Sequence, residues 1–326
     1  MTGEYRLFDY GGMTLDEGRS RAYADCLTRV VTGRSVVVDI GAGAGFFALL
    51  AARLGARRVY AIEPGDALHL AEQMAIQNGL AGRMEFIHGL SFDVTLPERA
   101  DVIVSDLHGV LPAYQRGLSS LVDARTRFLA PGGVMIPRRD TLWAAIVESP
   151  KLHHETVGVW GADVFGIDMT AARPAALGTW HKTRFAPSDL VTAPACWGVL
   201  DYQSLQSPDV RGALQWIVGA RRPAHGVAAW FDWDGGDGVG FSNSPLSGER
   251  HIYGQAFFPW PEEVDLRPGD EVRVTLCADA VQSACVYRWD TQVREADGRT
   301  KAAFEQSDFL SEAFSAGRLR ALETRK

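Results

Sequence analysis

Residues 36–45 read VVVDIGAGAG, a run of β-branched residues closed by an acidic side chain and followed by glycine at every second position. A buried parallel strand that turns sharply into a helix needs this pattern, because Gly41, Gly43 and Gly45 permit positive φ and let a ligand approach the main chain. A second short strand, RVYAIE, ends in Glu63, 24 residues after Asp39. An acidic group at the tip of that strand is placed to accept hydrogen bonds from ribose hydroxyls. The chemistry is that of a nucleotide-bearing cofactor. The glycines fall as G-x-G-x-G directly after an aspartate, the commoner spacing in S-adenosylmethionine (SAM) enzymes, where no pyrophosphate must be held at the helix start. A tight turn without a ligand would account for the glycines but not for Glu63.

The surrounding elements must hold these residues in place. DEGRSRAYADCLTRVV reads as a helix, VVVDI as a strand, GFFALLAARLG as a helix and RVYAIE as a strand. DALHLAEQMAIQNG then reads as a helix, MEFIHG and ADVIVSDL as strands, and 114–129 as a helix stopping at Pro131-Gly132-Gly133. This predicts a doubly wound α/β, Rossmann-like domain over residues 1–137. From 138 to 326 the runs TLWAAIVE, HGVAAWFDW, YGQAFF and EVRVTLCA alternate between turn residues, as antiparallel sheet does. The aspartates of DWDGGDG miss the register of a calcium loop and read as a turn.

At 326 residues, with 46% hydrophobic and 22% charged, the chain can bury two real cores. A net charge of −7 without a Lys/Arg block argues against nucleic acid and favours a basic peptide or amine. The four cysteines, Cys26, Cys196, Cys277 and Cys285, form no C-x-x-C pair, so neither a metal site nor a disulfide framework is expected. No leader pattern and no run of about eighteen apolar residues occurs, which predicts a cytoplasmic protein without a membrane partner.

In order and spacing, DEGRSRAY, DIGAGAG, AIEP, SDLHGVLPAYQRG, FGIDMT and GFSNSP resemble the protein arginine methyltransferases over nearly the whole chain. The resemblance implies a SAM-binding domain, a C-terminal β-barrel that receives the substrate, and a homodimer formed through a helical arm at about 150–191. It places Arg19 on the carboxylate of the methionine moiety, and Asp39, Gly41 and Gly43 around its amine and ribose. Glu63 falls on the ribose, Ser91 near the adenine, and Met13 near the methyl sulfonium. Met13 equally suits an ordinary core position.

The departures concern the acceptor. Two glutamates clamp the guanidinium in the family; the matching positions here are Asp106 and Gln115. Losing one full charge in a partly desolvated pocket weakens the hold on a cation. His108 replaces a methionine in the same loop. Asp16 and His251 match a family pair, and they either relay a proton or tie the N-terminal helix to the barrel. His108 is either a base or a pocket wall. The expectation is methyl transfer to a nitrogen, or secondarily an oxygen, of a peptide-derived or other small-molecule metabolite, as in natural-product biosynthesis. The alternatives are arginine methylation and a silent SAM-binding scaffold. Trp160, Trp216, Trp230 and Trp233 read as core before groove, and His153-His154 falls in the arm.

Overall fold

The structure, a computed structural model, describes residues 5–309. The first half runs α1 (Leu7–Leu15), α2 (Glu17–Val30), β1 (Val36–Ile40), α3 (Phe46–Arg53), β2 (Arg58–Glu63), α4 (Ala67–Gln77), β3 (Met84–His88), β4 (Ala100–Ser105), α5 (Gly117–Phe128) and β5 (Leu129–Ile136). The five strands form one parallel sheet in the order β3-β2-β1-β4-β5. Every residue of β1 is buried, as the central strand of a sheet covered on both faces demands.

Two local features depart from the sequence reading. Pro131-Gly132-Gly133 does not end the preceding helix but lies inside β5, at the sheet edge. A proline there removes no donor that the ladder needs. Helix α1 has no counterpart in the hydrophobic pattern, because it contains Gly11 and Gly12 and buries none of its residues.

The second half runs β6 (Arg139–Val147), α6 (Pro150–Thr156), a hairpin of β7 (Asp163–Val164) and β8 (Ile167–Asp168), α7 (Arg173–Leu177), β9 (His181–Thr183), β10 (Ala195–Asp201) and β11 (Val210–Ile217). It continues with β12 (Arg222–Gly236), β13 (Val239–Ser242), β14 (Gln255–Leu266), β15 (Glu271–Val281), β16 (Ala284–Arg294) and β17 (Thr300–Ser307). One antiparallel sheet is ordered β10-β6-β12-β14-β9, with β13 on β12, and the other β11-β15-β16-β17. The two join in a barrel-like body. Phe258 lies 5.1 Å from Trp289 between ring centroids, and the Trp260 indole donates to Thr291 Oγ1 at 3.0 Å. Trp216, Trp230 and Trp233 are buried core residues, as the sequence reading ranked them. In DWDGGDG the first five residues close β12 and Asp237-Gly238 make the turn into β13.

Helix α2 joins the halves. The Tyr23 hydroxyl donates to the Ser105 carbonyl at 3.0 Å and accepts from the Trp233 indole at 3.1 Å. From β16, Tyr287 donates to the Ala113 carbonyl at 2.6 Å and so anchors the loop between β4 and α5. Among the described residues no helix is long and apolar enough to cross a membrane.

Candidate active site

The glycine turn between β1 and α3 is backbone geometry that side chains cannot adopt cheaply. Gly41, Gly43 and Gly45 have φ of 72°, 52° and 82°. A Cβ on Gly41 would stand 2.4 Å from Leu107 Cδ2, and one on Gly43 would stand 2.5 Å from the Tyr10 ring. Tyr10 therefore lays α1 across the turn. The Glu63 carboxylate accepts from the Gly43 amide at 2.9 Å and from the Gly65 amide at 2.7 Å. One lone pair on each oxygen is used, leaving acceptor capacity for a ligand.

Asp39 is buried, with Oδ2 accepting from the Ala48 amide at 3.0 Å. Its Oδ1 and the buried Ser91 Oγ have no hydrogen-bond partner among the described residues. Burial, reinforced by the Glu63 and Asp106 charges, pushes the Asp39 carboxyl up to about 7 against the pull of the Ala48 amide. Unpartnered buried polar atoms are costly unless a ligand or water meets them. These residues line one end of the parallel sheet.

The Arg19 guanidinium is engaged inside the chain and keeps further N–H donors beyond the following contacts. Nε donates to Asp106 Oδ2 at 2.6 Å, Nη2 donates to the same oxygen, and Nη1 donates to the Met13 carbonyl at 3.0 Å. Nε also lies 3.1 Å from the Tyr253 hydroxyl, and the guanidinium carbon sits 5.0 Å over the Phe47 ring. Met13 is half-buried and meets Arg19 through its backbone.

The loop between β4 and α5 places His108 between two carboxylates. His108 Nδ1 lies 3.0 Å from Asp106 Oδ1, and Nε2 lies 2.7 Å from Asp140 Oδ2. The ring stacks on Phe231 at 5.2 Å. Burial alone would lower its pKa, but the Asp140 and Asp106 carboxylates push it up to about 10. Burial works to raise Asp106, yet Arg19 and His108 hold it well below the usual carboxylate range. The Tyr202 hydroxyl completes the chain by donating to Asp140 Oδ2. With a carboxylate on each ring nitrogen, the charged form of His108 is favoured at neutral pH. Gln115 does not join Asp106 in a clamp. It is exposed, sits at φ 46° and donates to the Tyr114 hydroxyl at 3.1 Å.

Asp16 caps α2 through the Arg19 amide at 3.1 Å, accepts from the Ile252 amide at 2.8 Å and lies 2.9 Å from His251 Nδ1. Glu249 takes the other ring nitrogen at 3.1 Å. With every polar end engaged, the pair ties α2 to the barrel. Burial opposes charging of both groups, but their mutual contact raises His251 and lowers Asp16. The His251 contribution is full below the ordinary histidine value and fades as pH rises through its elevated folded value. The Asp16 contribution is full above the ordinary aspartate value and fades as pH falls through its depressed one. The stability gap between native protein and His251→Ala is therefore expected to peak between about pH 4 and about pH 6.5. Urea midpoints across pH check this; a gap independent of pH would refute the charged pair.

Sequence reasoning missed Tyr10, Asp140, Tyr202 and Tyr253. Asp140 opens a β-strand in RRDTLW, where a charge reads as solvated, yet it is fully buried. Among the described residues no His, Cys, Asp and Glu group could hold a metal.

Residues 138–288 match the arginine methyltransferase oligomerization subdomain, and residues 23–155 match ribosomal protein L11 methyltransferase (PrmA). Probable protein arginine N-methyltransferase 6 of Arabidopsis thaliana is 30% identical over 230 residues, 68% of this chain and 52% of that protein. Protein arginine N-methyltransferase 1 of Schizosaccharomyces pombe is 28% identical over 275 residues, 81% of this chain and 79% of that protein. The chain spans 52% and 58% of the first curated relatives it matches, about half their length. Two solved structures share the fold. Arabidopsis thaliana protein arginine methyltransferase 10 has TM-score 0.79 at 22% identity, covering 93% of this chain and 97% of that one. The Trypanosoma brucei PRMT1 enzyme–prozyme complex has TM-score 0.80 at 20% identity, covering 93% and 98%. Sequence matches on both halves, joined to one shared architecture, make the chain similar to the protein arginine methyltransferases.

Proposed function

We propose that this protein is a SAM-dependent methyltransferase. The observation that carries the reading is the Glu63 carboxylate, strapped by the Gly43 and Gly65 amides beside the unpartnered Asp39 oxygen. That donor and acceptor set suits the ribose and amine of SAM, and Ser91 Oγ offers a further polar atom. The Trypanosoma brucei neighbour is a complex with AdoHcy, which supports the same choice. SAM supplies an electrophilic methyl group on a sulfonium. The chain's own tasks are to orient donor and acceptor and to exclude water. Tyr10 covers the glycine turn, and α2 fixes the distance between cofactor and barrel.

The names of the relatives support arginine as the acceptor, ahead of the metabolite expected from the altered loop. One observation favours a second reading, an acceptor that arrives uncharged: Asp106 already serves two cations of its own chain. Labelled SAM with an arginine-glycine repeat peptide separates the two. Efficient transfer supports arginine, whereas cofactor binding without transfer to that peptide supports the second reading.

Self-association through the hairpin β7–β8 belongs to the same proposal. Val164, Phe165 and Ile167 are exposed at its tip, and the matched subdomain is described by oligomerization. A homodimer is expected at micromolar concentration, with Phe165→Asp shifting it to monomer in light scattering. A native monomer would end this part of the proposal.

A further inference from the structure

Asp106 faces more donors than a carboxylate needs. Oδ2 takes Arg19 Nε and Nη2, Oδ1 takes His108 Nδ1, and the Tyr253 hydroxyl reaches both oxygens at 2.9 and 3.0 Å. A carboxylate has about four acceptor sites, and these contacts fill them. His108 does not depend on Asp106 alone, because its other nitrogen is held by Asp140 on β6, which is fully buried and braced by Tyr202. The charged side chains of the network are Arg19 and His108 against Asp106 and Asp140, and the phenols of Tyr202 and Tyr253 complete it. Burial keeps both phenols protonated. The cluster is neutral by itself. A cationic guanidinium entering it finds both carboxylates already ion-paired, with only Asp140 Oδ1 lacking a hydrogen-bond partner among the described residues, and meets two positive charges.

We propose that Asp140 and Tyr202 are specificity-determining residues: by fixing His108 as an internal cation on Asp106, they exclude guanidinium and select an acceptor nitrogen or oxygen that arrives without charge. This rests on the methyltransferase reading and deepens its second form. His108 and Asp140 act through Asp106 and are positioning residues. Removing the pair together takes out one positive and one negative charge and frees one acceptor site on Asp106 Oδ1, which the Tyr253 hydroxyl still reaches. Replacing both members of a buried ion pair by apolar groups is often neutral, so the double change costs less than either single one and leaves only the Tyr202 hydroxyl without its acceptor.

The experiment uses the full chain saturated with S-adenosylhomocysteine and an arginine-glycine repeat peptide as probe in calorimetry. The peptide is expected to bind His108→Leu/Asp140→Ala at least about tenfold more tightly than the native protein. Equal affinity for the two, with tight native binding, overturns the proposal. Nitrogen-15 NMR of the native His108 ring needs no variant. The imidazolium signature is expected to persist to about pH 9, and titration near neutrality would also overturn the proposal. Asp140→Asn is expected to bring that titration into the neutral range and Asp140→Glu to restore the native signature. Failure of the native protein to bind S-adenosylhomocysteine would overturn the methyltransferase reading instead, a result separable from the His108 signature.

Discussion

Asp140→Ala is expected to lower the folding stability by about 3–5 kcal/mol at neutral pH, the usual cost of breaking a buried charge pair by removing one partner. The side chain is fully buried and carries two contacts at once, His108 Nε2 at 2.7 Å and the Tyr202 hydroxyl. Its loss leaves both donors facing an apolar gap beside Phe231. The pH dependence follows from His108. Its folded pKa lies above its unfolded one, so its contribution is full below the ordinary value of about 6.5 and is lost as pH rises through the folded value. That folded value is about 10. The gap between native and Asp140→Ala midpoints in chemical denaturation should therefore be widest at and below pH ~6.5 and narrow towards alkaline pH. A gap that widens with pH would mean that His108 is neutral in the folded protein.

Glu63→Ala is expected to weaken S-adenosylhomocysteine binding by about 1.5–3 kcal/mol, roughly ten- to a hundredfold in Kd, through loss of charge-assisted hydrogen bonds. The Gly43 and Gly65 amides lose their acceptor as well, which loosens the turn that approaches the ligand. Because Glu63 is half-buried at the end of β2, water can replace it on those amides and the fold should persist. Calorimetry on the folded variant checks this, with NAD as the control ligand that neither protein should bind. Unchanged affinity would remove Glu63 from the site.

Most of the fold was legible in the chain because its causes are local. VVVDIGAGAG dictates a buried strand and a positive-φ turn whatever surrounds it, and both occur at the predicted residues. RVYAIE ends at Glu63 as its pattern requires. Beyond Pro137, alternating runs announce antiparallel sheet, and strands cover them. Helix α1 escaped notice because its role rests on contacts such as Tyr10 over Gly43 and the Met13 carbonyl on Arg19, and not on an amphipathic face.

The acceptor side shows the opposite case. Residue types named Asp106 and His108 as chemically interesting, but their state depends on charges far away in sequence: Arg19 lies 87 positions before Asp106 and Asp140 lies 32 after His108. A histidine is a base or a fixed cation according to which carboxylates the fold brings within hydrogen-bond reach, and burial strengthens whichever outcome those neighbours favour. The same holds for Gln115, whose distance from any clamp is set by a left-handed backbone at φ 46° and not by its amide. Cofactor chemistry was therefore written in contiguous residues, where backbone conformation determines the site. The charge of the acceptor pocket was decided only when α2, the β4–α5 loop and β6 converged, because electrostatic state is a property of distances in space.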